Sequence, residues 1–306
     1  MKKYLVLFFA LLITGTAIFY SSIFDDKSNA IYVIALDENS KDDAENIYKS
    51  IKKENRDVVL SNISGNYNFY VASDYNDLPK NINKEAINIL YIPYFSDKES
   101  PELLRDFDVI VVKSAKSFGH LQAINARTAY IPNIVDIVNK DAFSPNEKIA
   151  YIGDDEDFSL SLHLIKNSNF SIDIYGKVNN SNLGRQQLKA SSLNKTKYKE
   201  YSLVLIDQTE EDIDRNIVSD KLLKIISNGG IPFVRYNPGI VKMFGNAIPM
   251  YYNPEHFNFE LYRLLQSPIE LKNRFNDIVN ISTNWSSSMR AKKIIELFDI
   301  MKKKRI

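Results

Sequence analysis

The sequence predicts an α/β protein with two parallel sheets behind an N-terminal hydrophobic segment. Apolar runs of strand length alternate with helical segments along most of the chain, which is typical of parallel sheets. The alternation restarts near residue 145 with the run "KIAYIGD" (148–154), and this restart predicts the second sheet. A chain of 306 residues is long enough for two domains with their own cores.

The hydrophobic segment covers residues 4–24, which contain no charge and lie between "MKK" and "DDK". A helix of this length can cross a hydrocarbon core of about 30 Å, and the preceding lysines place its N-terminus in the cytoplasm. We therefore expect a single-pass N-terminal membrane anchor. A cleaved signal peptide is the alternative, because "GTA" (15–17) offers small residues at a suitable spacing. Both interpretations place the folded part outside the cytoplasm.

The first half of the chain begins with "AIYVIAL" (30–36), a continuous apolar run of the kind that a strand covered on both faces needs. The segment "SKDDAENIYKSIKKE" (40–54) follows with acids early and lysines late, as the helix dipole favours. A short helix is predicted at "SPELLRD" (100–106). The remaining predicted strands of this half are "DVVLSNI", "NFYVAS", "INILYIP", "FDVIVVKS" and "TAYIPNIVD".

The second half repeats the alternation. Its predicted strands are "KIAYIGD", "SIDIYGK", "YSLVLID", "IPFVRY" and "AIPMYYN". Helices are expected near residues 158–167, 219–227, 258–266 and 289–303.

Composition excludes several kinds of site. The chain has no cysteine, so disulfides, thiolate metal sites and cysteine nucleophiles are excluded. Its three histidines are far apart in sequence, which disfavours a histidine-rich metal site. The net charge of +1 gives no general attraction for nucleic acid. We expect no metal, no cofactor and no nucleic-acid partner.

The segment "SDKLLKIISNGGIPFVRYNPG" (219–239) combines a helix, a strand and two glycine-containing turns. Ser219 is a helix N-cap, and Gly229 and Gly230 end that helix. The triplet 237–239, Asn-Pro-Gly, is expected to turn the chain after the strand. Ligands of parallel sheets bind beyond the carboxyl ends of the strands, and free helix N–H groups favour phosphate there. The alternative is that these residues only cap, turn and extend the chain.

This segment resembles the donor-side motif of the GT-B glycosyltransferases, and it is similar to the C-terminal domain of the spore-maturation-type (family 1/4-like) members. The run "TAYIPNIVD" resembles their interdomain segment, and "KIAYIGD" and "IDIYGK" resemble the strands that follow. The likeness covers roughly residues 105–300. It implies two Rossmann-like domains, at 29–140 and 141–306, facing a cleft. The donor would lie on the second domain, and the last helix would cross back to the first.

The resemblance also implies a set of donor-binding residues, with a nucleotide-sugar as the partner. They are Gly153, Ser219, Lys221, Lys224, Gly229, Gly230, Asn237, Pro238 and Gly239. Family members carry a glutamate on this helix that binds the donor ribose, whereas this chain has Lys224 or Ile225 there. A lysine can meet a diphosphate instead, and a solvated helix face is the alternative.

Two residues are candidates for a general base. His120, in "KSFGHLQA" (116–123), is expected in a loop after a strand, and Asp37 follows the first strand. Asp37 also has an interpretation as a helix-capping acid. The run "DDED" (154–157) is interpreted as capping a helix rather than as binding a metal.

The expected function is a membrane-associated glycosyltransferase-like protein. It would move a sugar from a nucleotide-sugar donor to a glycan or protein acceptor of the cell envelope. The alternative is an exported, catalytically degenerate GT-B-like protein that binds glycans or envelope partners. The alternative is consistent with the missing glutamate and with the outward topology, away from the cytoplasmic nucleotide-sugars of bacteria, and we prefer the transferase.

Overall fold

The computed structural model describes most of the chain beyond the hydrophobic segment. The described residues are 29–96, 99–124, 126–137, 143–153, 160–176, 187–190 and 195–305. Within them, two six-stranded sheets are present, and every neighbouring pair of strands runs parallel. The α/β class with two parallel sheets is therefore confirmed.

The first sheet belongs to the first half of the chain. Its strands are β1 (Ile31–Ala35), β2 (Val58–Leu60), β3 (Tyr67–Val71), β4 (Ile87–Ile92), β5 (Val109–Val112) and β6 (Thr128–Tyr130). The strand order is β2-β1-β3-β4-β5-β6. Its helices are α1 (Lys41–Lys53) and α2 (Ala115–Ala123), with 3₁₀ helices at Tyr75–Asp77 and Pro101–Asp106.

The second sheet follows after Tyr130. Its strands are β7 (Ile149–Ile152), β8 (Ile172–Tyr175), β9 (Gln187–Ala190), β10 (Leu203–Ile206), β11 (Pro232–Arg235) and β12 (Met250–Tyr251), in the order β12-β11-β10-β7-β8-β9. The helices are α3 (Leu160–Lys166), α4 (Glu210–Arg215), α5 (Asp220–Ser227), α6 (Pro238–Phe244), α7 (Pro254–Leu265), α8 (Pro268–Ser282) and α9 (Ser287–Arg305). The 3₁₀ helices of this half are Lys195–Glu200 and Thr283–Trp285. The proposed boundary at residue 140 lies outside the described residues.

Burial on both faces explains why the predicted strands read as continuous apolar runs. Val33, Phe69 and Ile89 lie in register across three strands and point into one buried cluster. Tyr70 and Leu90, one residue further along, point into a cluster on the other face. Each predicted strand has a counterpart, whereas "SPELLRD" forms a 3₁₀ helix rather than an α-helix. The prediction missed β9, α2, α4, α6 and α8.

The last helix, α9, returns to the first half of the chain. Ala291, Ile294, Phe298 and Met301 are buried in the same cluster as the first sheet. The Phe298 ring lies 6.1 Å from Tyr67 in an edge-on contact. At the helix end, Nη2 of Arg305 forms ion-paired hydrogen bonds to both carboxylate oxygens of Asp108, at 2.9 and 2.8 Å. The first core therefore depends on residues contributed by the end of the chain.

Residues 4–24, which we expect to form the anchor, lie outside the described residues. Where the structure does describe the chain, none of its helices combines the length and apolar character that crossing a membrane requires.

We expect Phe298→Ala to lower the free energy of unfolding by about 3–5 kcal/mol, because it removes a buried aromatic ring from the core that joins α9 to the first sheet. Urea denaturation followed by circular dichroism measures the change. Ile300→Ala on the same helix is the control, since Ile300 is 41% exposed. Similar losses in the two variants would contradict the packing of α9 on the sheet.

Candidate functional site

The carboxyl ends of the two sheets meet each other. Ser114, which follows β5, donates its hydroxyl to the carbonyl of Arg215 at 2.5 Å. The Arg215 guanidinium lies over the ring of Tyr94, which follows β4, at 4.6 Å from the centroid. Asn133, after β6, donates to the carbonyl of Val218 at 3.2 Å. Because α4 and the start of α5 follow the carboxyl end of β10, these contacts bring the ligand-binding edges of both sheets together.

A polar cavity of about 250 Å³ lies where the two halves face each other, and we call it the cleft pocket. It is bounded by α1, the segment after β6, α5 and the first turn of α9. Its lining residues are Asp43, Asn46, Asn133, Ile134, Asp220, Leu223, Lys224, Ser227 and Arg290. A larger cavity of about 620 Å³ lies at the amino edge of the first sheet around Phe107 and Arg127. We assign the site to the cleft pocket because only this one of the two lies where both sheets contribute.

Helix α5 brings part of the predicted donor motif to the cleft pocket. Ser219 caps the helix as expected, and its hydroxyl accepts the N–H of Leu222 at 3.3 Å. The apolar residues of α5 are buried against the second sheet, so its polar face turns outward. Lys224 is exposed and lines the pocket, whereas Ile225 is fully buried. Of the two residues that the resemblance places at the position of the family glutamate, only Lys224 lines the pocket. Lys221 is half-buried on the first turn of α5 and does not line the pocket.

An ion pair closes the first-half side of the cleft pocket. The ammonium of Lys113 lies 2.7 Å from the Asp43 carboxylate and 5.5 Å from the Tyr91 ring centroid. Burial alone would lower the pKa of Lys113, but the Tyr91 hydroxyl and the Asp43 carboxylate together raise this pKa above its usual range. The lysine therefore stays charged, and it neutralises Asp43.

Lys224 is the one lining residue among the predicted site residues, and Arg290 is the lining cation that the sequence analysis did not single out. It is only 4% exposed, and its Nε and Nη2 atoms are buried without a hydrogen-bond partner. The signal was available in the sequence. Arg290 precedes Ile294 and Phe298 by four and eight residues, which places a charge in phase with the buried face of α9.

The double glycine does not reach the cleft, which corrects the expectation. Gly229 and Gly230 stand between α5 and the amino end of β11, and neither residue lines the cleft pocket. Gly229 has a φ of +82°, and Gly230 donates its N–H to the carbonyl of Ile225 at 3.0 Å. Both residues end the helix, which is the structural alternative given above.

The segment at 237–239 starts helix α6 instead of forming a turn. The Asn237 side chain accepts the N–H of Gly239 at 2.7 Å, and Pro238 occupies the first turn, where its missing N–H costs nothing. The amide of Asn237 also donates to Gln208 and to the carbonyl of Ile217, at 2.8 and 2.9 Å. Asn237 is completely buried, so it fastens the segment between α4 and α5 rather than presenting a free polar group.

Gly153 lies at the carboxyl end of β7 and does not line the cleft pocket. It donates its N–H to the carbonyl of Tyr175 at 2.9 Å. A Cβ on the neighbouring Gly176, whose φ is +122°, would lie 1.8 Å from the Gly153 carbonyl oxygen. The two strand ends therefore approach each other more closely than side chains allow. The run "DDED" (154–157) lies outside the described residues.

The two candidate bases are not brought together. His120 lies in the second half of α2 rather than in a loop, about 9 Å along the helix from the Ser114 cap. It is half-buried, and its Nδ1 has no hydrogen-bond partner. Asp37 accepts the N–H groups of Ser40 and Ser73, at 2.9 and 2.8 Å. Burial acts to raise the pKa of Asp37, but the hydrogen bonds from Ser73 and Ser40 outweigh it and hold the pKa below its usual value.

The comparisons with known proteins agree with this geometry. No family model matches the chain, and no curated protein matches its sequence. An alpha-glucosyltransferase in complex with UDP-glucose and DNA is similar in structure, with 13% identity, a TM-score of 0.56 and coverage of 89% of this chain and 98% of its own. HepE of Anabaena in complex with UDP has 9% identity, a TM-score of 0.54 and coverage of 87% and 85%. The pneumococcal O-GlcNAc transferase GtfA in complex with UDP and GlcNAc has 13% identity, a TM-score of 0.51 and coverage of 83% and 59%.

These solved structures are GT-B glycosyltransferases, and the likeness shows that this chain has the GT-B fold. The resemblance inferred from the sequence is therefore confirmed for the fold. The chain spans 57% and 59% of the lengths of the GtfA/B and GtfA chains that it matches.

We expect Gly239→Ala to destabilise the protein by about 1–3 kcal/mol, because the new Cβ would lie 2.2 Å from the backbone oxygen of Asn216. Gly119→Ala is the matched control. Its Cβ would meet nothing within 4 Å in helix α2, so we expect a gain of about 0.5–1 kcal/mol. Thermal unfolding measures the expected loss of stability in Gly239→Ala and the expected gain in Gly119→Ala. Tolerance of alanine at 239 would contradict the close approach of α6 to the segment after α4.

Proposed function

We propose that this protein binds a nucleotide-sugar in the cleft pocket and transfers the sugar to a glycan or protein acceptor of the cell envelope. The observation that carries the proposal is the position of the pocket in a GT-B fold, where the carboxyl ends of both sheets meet. Lys224 lines this pocket, and its α5 helix begins at the same edge.

Sugar transfer requires that the negative charge of the departing diphosphate be stabilised. Transfer breaks the bond between the anomeric carbon and a diphosphate oxygen, and the diphosphate leaves with the electron pair. The acceptor hydroxyl forms the new bond to that carbon and gives its proton to a base. An ammonium at Lys224 and the positive end of α5 would stabilise the departing diphosphate. We retain His120 and Asp37 as candidates for the base. In a retaining mechanism the departing diphosphate oxygen takes this proton, so no such residue is needed.

A second candidate is an exported GT-B-like protein that binds glycans or envelope partners without transferring sugar. It is supported by the replacement of the family glutamate, since Lys224 offers the ribose no carboxylate. Binding without turnover would distinguish it from the transferase.

We expect the full chain, purified in detergent, to bind uridine and guanosine diphosphates and their sugars weakly. If the Lys224 ammonium contacts a phosphate, Lys224→Ala should weaken binding about tenfold or more, since such a contact is worth roughly 1.5–3 kcal/mol. A solvated lysine would contribute about 0–1 kcal/mol. Isothermal titration calorimetry measures the difference, and Lys53→Ala, an exposed lysine at the end of α1, is the control.

Release of free sugar or of nucleoside diphosphate in the same samples reports turnover. A folded protein that binds none of these nucleotides would rule out the transferase and leave the exported binding protein.

We also propose that residues 4–24 anchor the protein with its N-terminus in the cytoplasm. The charge distribution around this segment supports the proposal. A phosphatase reporter fused after Ile306 should then be active only outside the cytoplasm, and a fluorescent reporter that folds only inside should stay dark. Cytoplasmic activity of the fusion would reverse the orientation and give the protein direct access to cytoplasmic nucleotide-sugars.

A further inference from the structure

We propose that Arg290, in the first turn of α9, binds a phosphoryl group of the ligand in the cleft pocket. The evidence for an anion site is the burial and the hydrogen bonding of Arg290 itself. The choice of a nucleoside diphosphate as the source of that group rests on the proposed function, and a phosphorylated acceptor is the other source.

The guanidinium of Arg290 is buried, and two of its nitrogen atoms have no hydrogen-bond partner among the described residues. The side chain is 4% exposed, and Nε and Nη2 have no hydrogen-bond partner in the described part of the chain. An arginine remains charged at all physiological pH values, so burial does not remove its charge by deprotonation. Leaving buried charged donors unpaired is costly. A ligand that supplies oxygen acceptors would offset that cost.

The two unpaired atoms have the geometry of an anion-binding edge. Nε–H and one N–H of Nη2 point in parallel from one side of the planar group, and this edge matches two oxygens of a phosphate or carboxylate. Arg290 lines the cleft pocket, so the ligand that meets this edge would come from the pocket.

The charges around the pocket also favour an anion at this end. Asp43 is already paired with Lys113 at 2.7 Å. Lys224 adds a second cation to the lining, while Asp220 on the same helix is exposed. An anion between Arg290 and Lys224 would therefore meet two cations, one from α9 and one from α5.

The size of the pocket limits what it holds. At about 250 Å³ it is smaller than the ~300–1,000 Å³ of sites that enclose a whole drug-sized ligand. A phosphoryl or diphosphate group fits this volume, with the rest of the ligand extending along the cleft. A phosphoryl group also offers the paired oxygens that the Nε–Nη2 edge requires.

The test compares wild type with Arg290→Met, which keeps an apolar side chain of similar length and removes the charge. Thermal unfolding is measured with and without inorganic pyrophosphate, on the full chain in detergent. We expect pyrophosphate to raise the Tm of the wild type and not that of Arg290→Met. Without ligand, we expect Arg290→Met to be as stable as the wild type or more stable, because a buried unpaired charge is replaced by a packed apolar group.

Lys292→Met is the matched control. It removes the same charge two residues away on the same helix, where the side chain is 59% exposed and lies 3.9 Å from Glu54. This variant should keep the pyrophosphate effect. Arg290→Lys keeps a charge but loses the paired edge, and calorimetry should show pyrophosphate binding weakened about tenfold or more. Absence of a pyrophosphate effect in the wild type, or its persistence in Arg290→Met, would overturn the proposal. So would a Tm of ligand-free Arg290→Met well below that of wild type.

Thermal unfolding with uridine diphosphate and with a sugar phosphate distinguishes a donor diphosphate from a phosphorylated acceptor as the ligand. It also distinguishes failure of the role of Arg290 from failure of the proposed function. A Tm increase with uridine diphosphate that exceeds that with pyrophosphate, and that is lost in Arg290→Met, assigns the site to the donor. A larger increase with the sugar phosphate assigns it to the acceptor. Nucleotide binding that is unchanged in Arg290→Met would keep the proposed function and reject the role of Arg290. A Tm increase with pyrophosphate that depends on Arg290, with no larger increase for any nucleotide, would keep the role of Arg290 and reject the proposed function.

Discussion

The packing of α9 on the first sheet is the constraint on which the rest of the molecule depends. One face of the first sheet is completed by Ala291, Ile294 and Phe298, which follow the whole second half of the chain. The same helix begins beside the second half, where the indole N–H of Trp285 bonds the carbonyl of Met243 at 2.8 Å. The segment 283–305 thus contacts both halves, and its helix α9 borders the cleft between them.

Direct contacts between the halves include hydrogen bonds at the carboxyl edges, and the Lys242 ammonium of α6 lies 4.3 Å from the Phe118 ring centroid and 4.9 Å from that of Tyr130. The Ser114 hydroxyl and the Asn133 amide both bind carbonyls of the segment between α4 and α5. That segment is in turn held by the buried amide of Asn237. Polar interfaces of this kind are typical of domains that move relative to each other. The arrangement therefore allows the halves to adjust around a ligand while α9 keeps them joined.

The sequence was sufficient for the strands and insufficient for the site, for physical reasons. Strands buried on both faces are apolar along most of their length, so a run such as "INILYIP" predicts a strand directly. Helix α2 was missed because Gly119 resembles a loop residue, although it lies on an open helix surface. The buried residues Leu271, Phe275 and Ile278 have the helical spacing that predicts α8, and this signal was overlooked. The glycines at 229–230 were misplaced because order along the chain does not say which edge of a sheet a residue reaches. Lys224 was found by resemblance. The spacing of Arg290 with Ile294 and Phe298 marks a charge on the buried face of α9, but it does not say that this face passes the cleft.

The return of α9 also has a consequence for how the protein forms. The ribosome releases residues 29–131 long before residues 287–305, so one face of the first sheet emerges with α1 in place but without the cover of α9. Phe69 and Tyr67, which Phe298 covers in the finished molecule, remain open to solvent or to a chaperone during that interval. The second half contains its own helices around a separate buried cluster, so it can complete its core without waiting for α9. The half that is synthesised first is therefore the half that is finished last.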